Sequence, residues 1–398
     1  MKKGFYTLLI AQFLSALADN ALLFAAIALL AELNAPDWHT PLLQQYFVIS
    51  YILLAPFVGT IADAFPKGAV MFFSNSVKVA GCVGMMLGMP PLYAYGIVGI
   101  GAAAYSPAKY GILTEMLPSR LLVKANGWME GSTVTAIILG AIIGGKLASD
   151  DPHFAMIVIT ALYVAAAVFN FFIPKMPIDH RPESKSMFYM LKDFWHAFNT
   201  LWKDPLGQVS LAVTTLFWGA GATLRLVVLA WAALALKFNI EQSTQLIATV
   251  AVGIAAGSVI ASRYIKLEDS TKVLPAGIVM GMLVILMVLI SDWRLAALLL
   301  FFIGALSGFF VVPLNALLQH RGHHLIGAGH SIAVQNFNEH IGILILLGCY
   351  LLMVKASVPM NMIVIAFGMF IIITMSIINR LYRAKITTQA IYNPDNLD

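Results

Sequence analysis

The chain has 398 residues, 60% of them hydrophobic and only 11% charged, with a formal net charge of +5. A water-facing surface carries roughly 25% charged residues, so this composition excludes a soluble globular protein. The positive balance is spread over short loops between apolar runs, which excludes a basic face built for nucleic acid.

In chain order, twelve apolar runs are each long enough to cross roughly 30 Å of hydrocarbon as a helix. They cover about 5–33, 42–65, 69–89, 91–117, 123–149, 152–173, 207–237, 241–265, 272–290, 294–319, 326–354 and 358–382. The first follows Lys2 and Lys3 and contains Ala16-Leu17-Ala18, a pattern shared with cleavable signal peptides. Cleavage there would leave Ala21–Leu33, too short to span, so a retained first helix is expected. Segment 174–206 is the one long polar interruption. The expected organisation is an all-α polytopic membrane protein: an N-terminal six-helix bundle over 1–173, a central loop over 174–206, a C-terminal six-helix bundle over 207–383 and a disordered tail over 384–398.

Basic residues set the orientation. With the N-terminus inside, the inner loops collect Lys67, Arg120, Lys124, Lys175, Arg181, Lys185, Lys192, Lys203, Arg263, Lys266, Lys272, Arg321 and the basic residues of both termini, while only Lys237, Arg294 and Lys355 fall outside. Both termini are therefore expected in the cytoplasm. Within the central loop Phe188, Leu191, Phe194, Trp195, Phe198, Leu201 and Trp202 recur at helical spacing among Lys192, Asp193 and Lys203. This is the pattern of an amphipathic helix, lying on the membrane or docked on protein. Cys82 and Cys349 both lie in apolar runs and suggest no disulfide.

The two halves echo each other. Pro107-Ala108-Lys109 precedes Pro313-Leu314-Asn315 by 206 residues, and Asp19 precedes Arg225 by the same 206. That common offset points to a duplicated six-helix unit, as in transporters whose site lies between the halves.

Ionisable groups in hydrocarbon cost roughly 2.5–3.5 kcal/mol on insertion scales and mark candidate functional positions. The deep set is Asp19, Lys78, Lys109, Glu130, Arg225 and Glu339, with Gln12, Asn20, Asn75, Asn126, Asn315, Gln335, Asn336 and Asn338 as polar companions. Asp19 and Arg225 are the leading pair; the competing reading is a salt bridge that only joins the halves. Lys109 follows a proline expected to break its helix beside a cavity, or else snorkels to the interface. Glu130 is expected either as a partner of Lys78 or Lys109 or in transport itself. Tyr105, Asp63, Lys78, Asn126, Glu130, Asn315, Gln335, Asn336 and Glu339 are candidate cavity or gating positions.

Enzyme motifs fail on inspection. Gly140 to Lys146 matches a phosphate loop as far as its lysine, but Leu147 stands where a magnesium-binding Ser or Thr is required. Packing through small residues accounts for the run better. No histidine has an aspartate five residues on, as a membrane acyltransferase would need. His320, Arg321, His323 and His324 fall in a short inner loop and are expected as solvated charge. No metal or cofactor is expected, and the chain is not expected to be an enzyme.

Gly59-Thr-Ile-Ala-Asp63 with Lys67 and Gly68 resembles the loop signature of the major facilitator superfamily, with one lysine where a basic pair is usual. Asp63 is expected to cap or pair at the inner gate, the alternative being an ordinary turn. The stretches 11–24, 101–113, 216–225 and 309–319 together resemble the bacterial lysophospholipid transporters of that superfamily. The resemblance implies twelve transmembrane helices in two six-helix bundles. It implies movement of lysophosphatidylethanolamine and lysophosphatidylglycerol across the inner membrane to the cytoplasmic leaflet. There a separate acyltransferase/acyl-carrier-protein synthetase would restore the missing chain. It also implies substrate contacts at Asp19, Asn20, Lys109 and Arg225. On this basis Asp19 and Arg225 are expected to pair without substrate and to exchange partners with a zwitterionic headgroup. The alternative function is proton-coupled transport of another small polar or amphipathic solute.

Overall fold

The computed structural model describes residues 3–36, 39–176, 186–238 and 240–392. Thirteen α-helices run through them: α1 (Lys3–Glu32), α2 (His39–Ala64), α3 (Lys67–Met86), α4 (Pro91–Met116), α5 (Leu122–Asp150), α6 (Pro152–Phe171), α7 (Met187–Lys203), α8 (Pro205–Ala235), α9 (Ile240–Tyr264), α10 (Leu274–Leu286), α11 (Trp293–Ile326), α12 (Ala328–Lys355) and α13 (Met360–Tyr392). Helix α7 is the amphipathic segment of the central loop. The other twelve correspond one to one with the expected spans, α10 being extended at both ends by 3₁₀ turns, so the protein is an all-α, twelve-helix membrane protein.

Eleven of the twelve are long and apolar enough to cross a membrane on length and composition. The remaining one, α4, is diluted by its tyrosines, glycines, Pro107 and Lys109, and it packs against α2 and α3. Many large apolar side chains, among them Leu53, Phe73, Ile142 and Phe171, point outward. Such a surface is stable only against lipid.

Starts of helices are written in the sequence. Asp151 caps α6 by accepting from the backbone N–H groups of His153 and Phe154 at 2.9 and 3.1 Å, with Pro152 at the first helical position. Asp204 caps α8 in the same way through Gly207, followed by Pro205. Both satisfy donors that a helix cannot satisfy itself.

The chain divides into two units. The first holds Met1–Leu122, Ser132–Thr200 and Gly322–Phe337; the second holds Val123–Gly131, Leu201–Arg321 and Asn338–Asp398. The expected cuts near 173 and 207 are thus approximate. The start of α5 belongs with the second unit, and the start of α12 with the first.

In the first unit, Ala18, Ala21, Leu22 and Ala25 of α1 pack with Cys82 and Met85 of α3, Tyr95 and Val98 of α4, and Met156, Ile159 and Tyr163 of α6. Gly140 and Gly144 of α5 lie against Leu17, Asn20 and Ala21 of α1, where a side chain would collide with backbone. The glycine run that imitates a phosphate loop is therefore a close helix crossing.

Three expectations are corrected here. Pro107 does not break its helix, since α4 continues from Pro91 to Met116; membrane helices tolerate proline where neighbours satisfy the freed carbonyl. His320, His323 and His324 are not in a loop but in the last turns of α11. The tail expected to be disordered is helical as far as Tyr392, with 393–398 outside the described residues. Arg181 and Lys185 of the central loop also lie outside the described residues.

Candidate functional site

Two deep charges of the first unit, Asp19 and Lys78, form one network. Asp19 of α1 meets Lys78 of α3, whose Nζ lies 2.8 and 2.9 Å from the two carboxylate oxygens. The same ammonium donates to Ser15 Oγ at 3.0 Å, and Ser15 in turn donates to Asn75 Oδ1 at 2.8 Å. Tyr163 of α6 donates its hydroxyl to Asp19 Oδ1 at 2.6 Å. The rings of Tyr105 and Tyr163 lie 5.0 and 5.4 Å from Lys78 Nζ, within cation–π range. Gly101 makes this possible, because a side chain there would strike the Lys78 stem and the Ser74 carbonyl. Lys78 is 1% exposed and Asp19 23%. The buried Tyr105 hydroxyl has no hydrogen-bond partner among the described residues.

Both oxygens of Asp19 are thus engaged by a lysine of its own unit, which corrects the expected resting pair with Arg225. Arg225 is exposed about three turns inside α8, and among the described residues it makes no ion pair or hydrogen bond. Lys109 is half-buried, with Nζ 4.2 Å from the centre of the Tyr110 ring. Asn20 donates its amide to the Ala16 carbonyl at 2.8 Å.

A second cluster sits at the end of the first unit where α1 begins. Asp63, 4% exposed at the end of α2, accepts from the backbone N–H of Gly329 at 2.7 Å and of His330 at 3.0 Å. These are first-turn donors of α12, so Asp63 caps that helix from across the unit. It also accepts from His330 Nδ1 at 2.7 Å and from Lys67 at 2.9 Å. Lys67 pairs with Glu115 of α4 at 2.9 Å and donates to the Ala62 carbonyl at 2.7 Å. His330 Nε2 lies 2.9 Å from Asp193 of α7 and 3.2 Å from Thr60 Oγ1. Carboxylates at both ring nitrogens are the geometry of an imidazolium donating to each. The hydrogen bond from His330 holds the Asp193 carboxyl below the usual carboxylate range, against its partial burial. Gly59 lets α2 approach α12, since a side chain there would press on His330 Cα and Ala333. The Gly-x-x-x-Asp spacing therefore has two jobs, a close crossing and a cap.

The remaining expected positions are distributed. In the first unit, buried Asn336 donates to Ser106 at 2.9 Å, and Gln335 is buried one residue before it. In the second, Asn126 and Gln319 exchange two amide hydrogen bonds of 2.8 Å. Asn315 approaches Glu130 at 3.5 Å, and Glu339 is buried. Arg321 grips Asp204 through two nitrogens, at 3.0 and 2.7 Å.

Sequence reasoning did not single out Tyr163, Glu115 or His330, and it took Asp193 only as a polar residue of an amphipathic helix. A histidine in the Gly327-to-Ser331 turn that opens a span was the available signal. Among the described residues no group of three or more His, Cys, Asp or Glu is placed to hold a metal ion.

Residues 8–346 match the family profile of the Major Facilitator Superfamily. The chain is 48% identical over 367 residues to the lysophospholipid transporter LplT of Enterobacter sp. (strain 638), covering 92% of each. It is 46% identical over 367 residues to the protein of that name from Escherichia coli O1:K1 / APEC, again 92% of each. In fold it resembles the human organic anion transporter MFSD10, with a TM-score of 0.80 at 13% identity, covering 95% of this chain and 100% of that one. It also resembles the Escherichia coli fucose:proton symporter FucP, with a TM-score of 0.75 at 12% identity, covering 95% and 98%. The chain belongs to the Major Facilitator Superfamily, and within it to the family of these bacterial transporters.

Proposed function

We propose that this transporter moves lysophospholipids across the bacterial inner membrane to the cytoplasmic leaflet, where a separate acyltransferase consumes them. The observation that carries this reading is Arg225. A guanidinium exposed well inside a 31-residue apolar helix, with no anion beside it among the described residues, calls for an anionic ligand. A phosphate suits it, since the planar fork binds two phosphate oxygens at once. Lys109 supplies a second positive charge. Asp19 and Asn20 receive the distal end of the headgroup, and the single acyl chain is left to apolar walls or lipid. The 46–48% identity to transporters named for lysophospholipids supports the same substrate class.

The test is transport of labelled lysophosphatidylethanolamine and lysophosphatidylglycerol into proteoliposomes. Wild-type protein should move both without chemical change. Arg225→Ala should abolish transport of both, because they share the phosphate, and Arg225→Lys should restore it only in part. Wild-type rates in Arg225→Ala at equal abundance would refute the role, and competition by sugars would favour a small-solute transporter.

A further inference from the structure

If Asp19 faces the headgroup, as proposed above, the charge it presents depends on Lys78. The pair is asymmetric. The ammonium is enclosed at 1% exposure, while the carboxylate keeps 23%. Lys78 has no freedom to leave. It holds both Asp19 oxygens and Ser15 within 3.0 Å, under the faces of Tyr105 and Tyr163, in a slot that Gly101 leaves open. The other titratable groups facing Asp19 are Cys82 of α3, Tyr95 and Tyr105 of α4 and Tyr163 of α6. Thiols and phenols are neutral near pH 7. Lys78 is therefore the counter-charge of Asp19, and the two together carry no net charge.

We propose that Lys78 is a specificity-determining residue: by neutralising Asp19 from its buried side, it turns the headgroup end of the site from an anion into a neutral hydrogen-bond acceptor. A bare carboxylate would favour an ammonium strongly over hydroxyls and would repel a headgroup of net negative charge. A carboxylate already paired offers its outer lone pairs to either donor. A zwitterionic ethanolamine lipid and an anionic glycerol lipid are then received on similar terms. Lys78 does this through Asp19 and need not touch the lipid.

The test is the ratio of dissociation constants for lysophosphatidylethanolamine and lysophosphatidylglycerol. These are measured on the purified full-length protein by competition with a labelled lysolipid at neutral pH. In wild-type protein the ratio should be near one. Lys78→Met leaves Asp19 without its counter-charge and should shift the ratio toward the ethanolamine lipid by on the order of tenfold. Adding Asp19→Asn should return the ratio to the wild-type value. Asp19→Asn alone leaves Lys78 as an unpaired cation and should shift the ratio toward the glycerol lipid, so it carries the test if Lys78→Met does not accumulate. A merely structural ion pair would weaken both lipids equally in each single variant, with the ratio unmoved, and that result overturns the inference. Wild-type protein that binds neither lysolipid overturns the transport reading, and this inference with it.

Discussion

Asp193 is the residue whose chemistry is most open to titration. It lies on α7, and its carboxyl is held below the ordinary carboxylate range chiefly by the hydrogen bond from His330. A group whose folded value is depressed stabilises the fold above its unfolded value, and that contribution disappears as pH falls through the folded one. The attachment of α7 to α12 should therefore be constant from neutral pH down to about pH 4 and weaken only below it. Amide hydrogen exchange across 187–203, corrected for intrinsic rates, is the measurement. Wild-type protection should hold from pH 7 to 5 and fall in stronger acid. Asp193→Asn should lose protection already at pH 7, and equal protection in the two proteins would mean that packing alone holds α7. Packing does contribute: Phe194, Ala197 and Leu201 are buried, and Phe194 meets Phe337 edge-on at 5.4 Å.

Between helices, small residues decide the approach. In the second unit Gly253 and Gly257 of α9 face Phe301 and Ala305 of α11, while Gly304 and Gly308 of α11 face Val250 and Ile254 of α9. At each glycine a Cβ would be driven into a backbone carbonyl of the other helix. Gly257→Val should thus lower the melting temperature of the purified protein, with a cost of about 3 kcal/mol, the upper end for overpacking. Gly348→Ala, where a Cβ meets open space, should be neutral. Equal melting temperatures for the two variants would show that α9 and α11 can move apart. This level also shows what a sequence conveys. The helices were legible because lipid demands some 20 apolar residues per crossing. The Gly-x-x-x-Asp signature was legible as a fold marker with Asp63 as a cap or ion-pair partner, but that the helix it caps is α12 was not. The Asp19–Lys78 pair was hidden because it depends on how α1 and α3 are rotated about their axes, which periodicity leaves open. The offset of 206 residues suggested Arg225 instead.

At the scale of the whole molecule, the distribution of Lys and Arg among the loops predicts both termini in the cytoplasm. A fluorescent reporter that matures only in the cytoplasm, fused after Lys385, should be active, and a phosphatase active only outside should be silent there. The reverse pattern would invert the topology. The cap on α12 has a consequence for how the chain is made. The residue before α12 is Gly327, which has no side chain that could cap the helix. The carboxylate that does so belongs to Asp63, 266 residues earlier than Gly329. A ribosome delivers α2 long before α12, so Asp63 must wait through most of synthesis for the donors it will satisfy. The first turn of α12 in turn emerges unfinished and is completed only on meeting a partner already in the membrane. Maturation of this protein thus has a built-in late step, the joining of an early carboxylate to a late helix end.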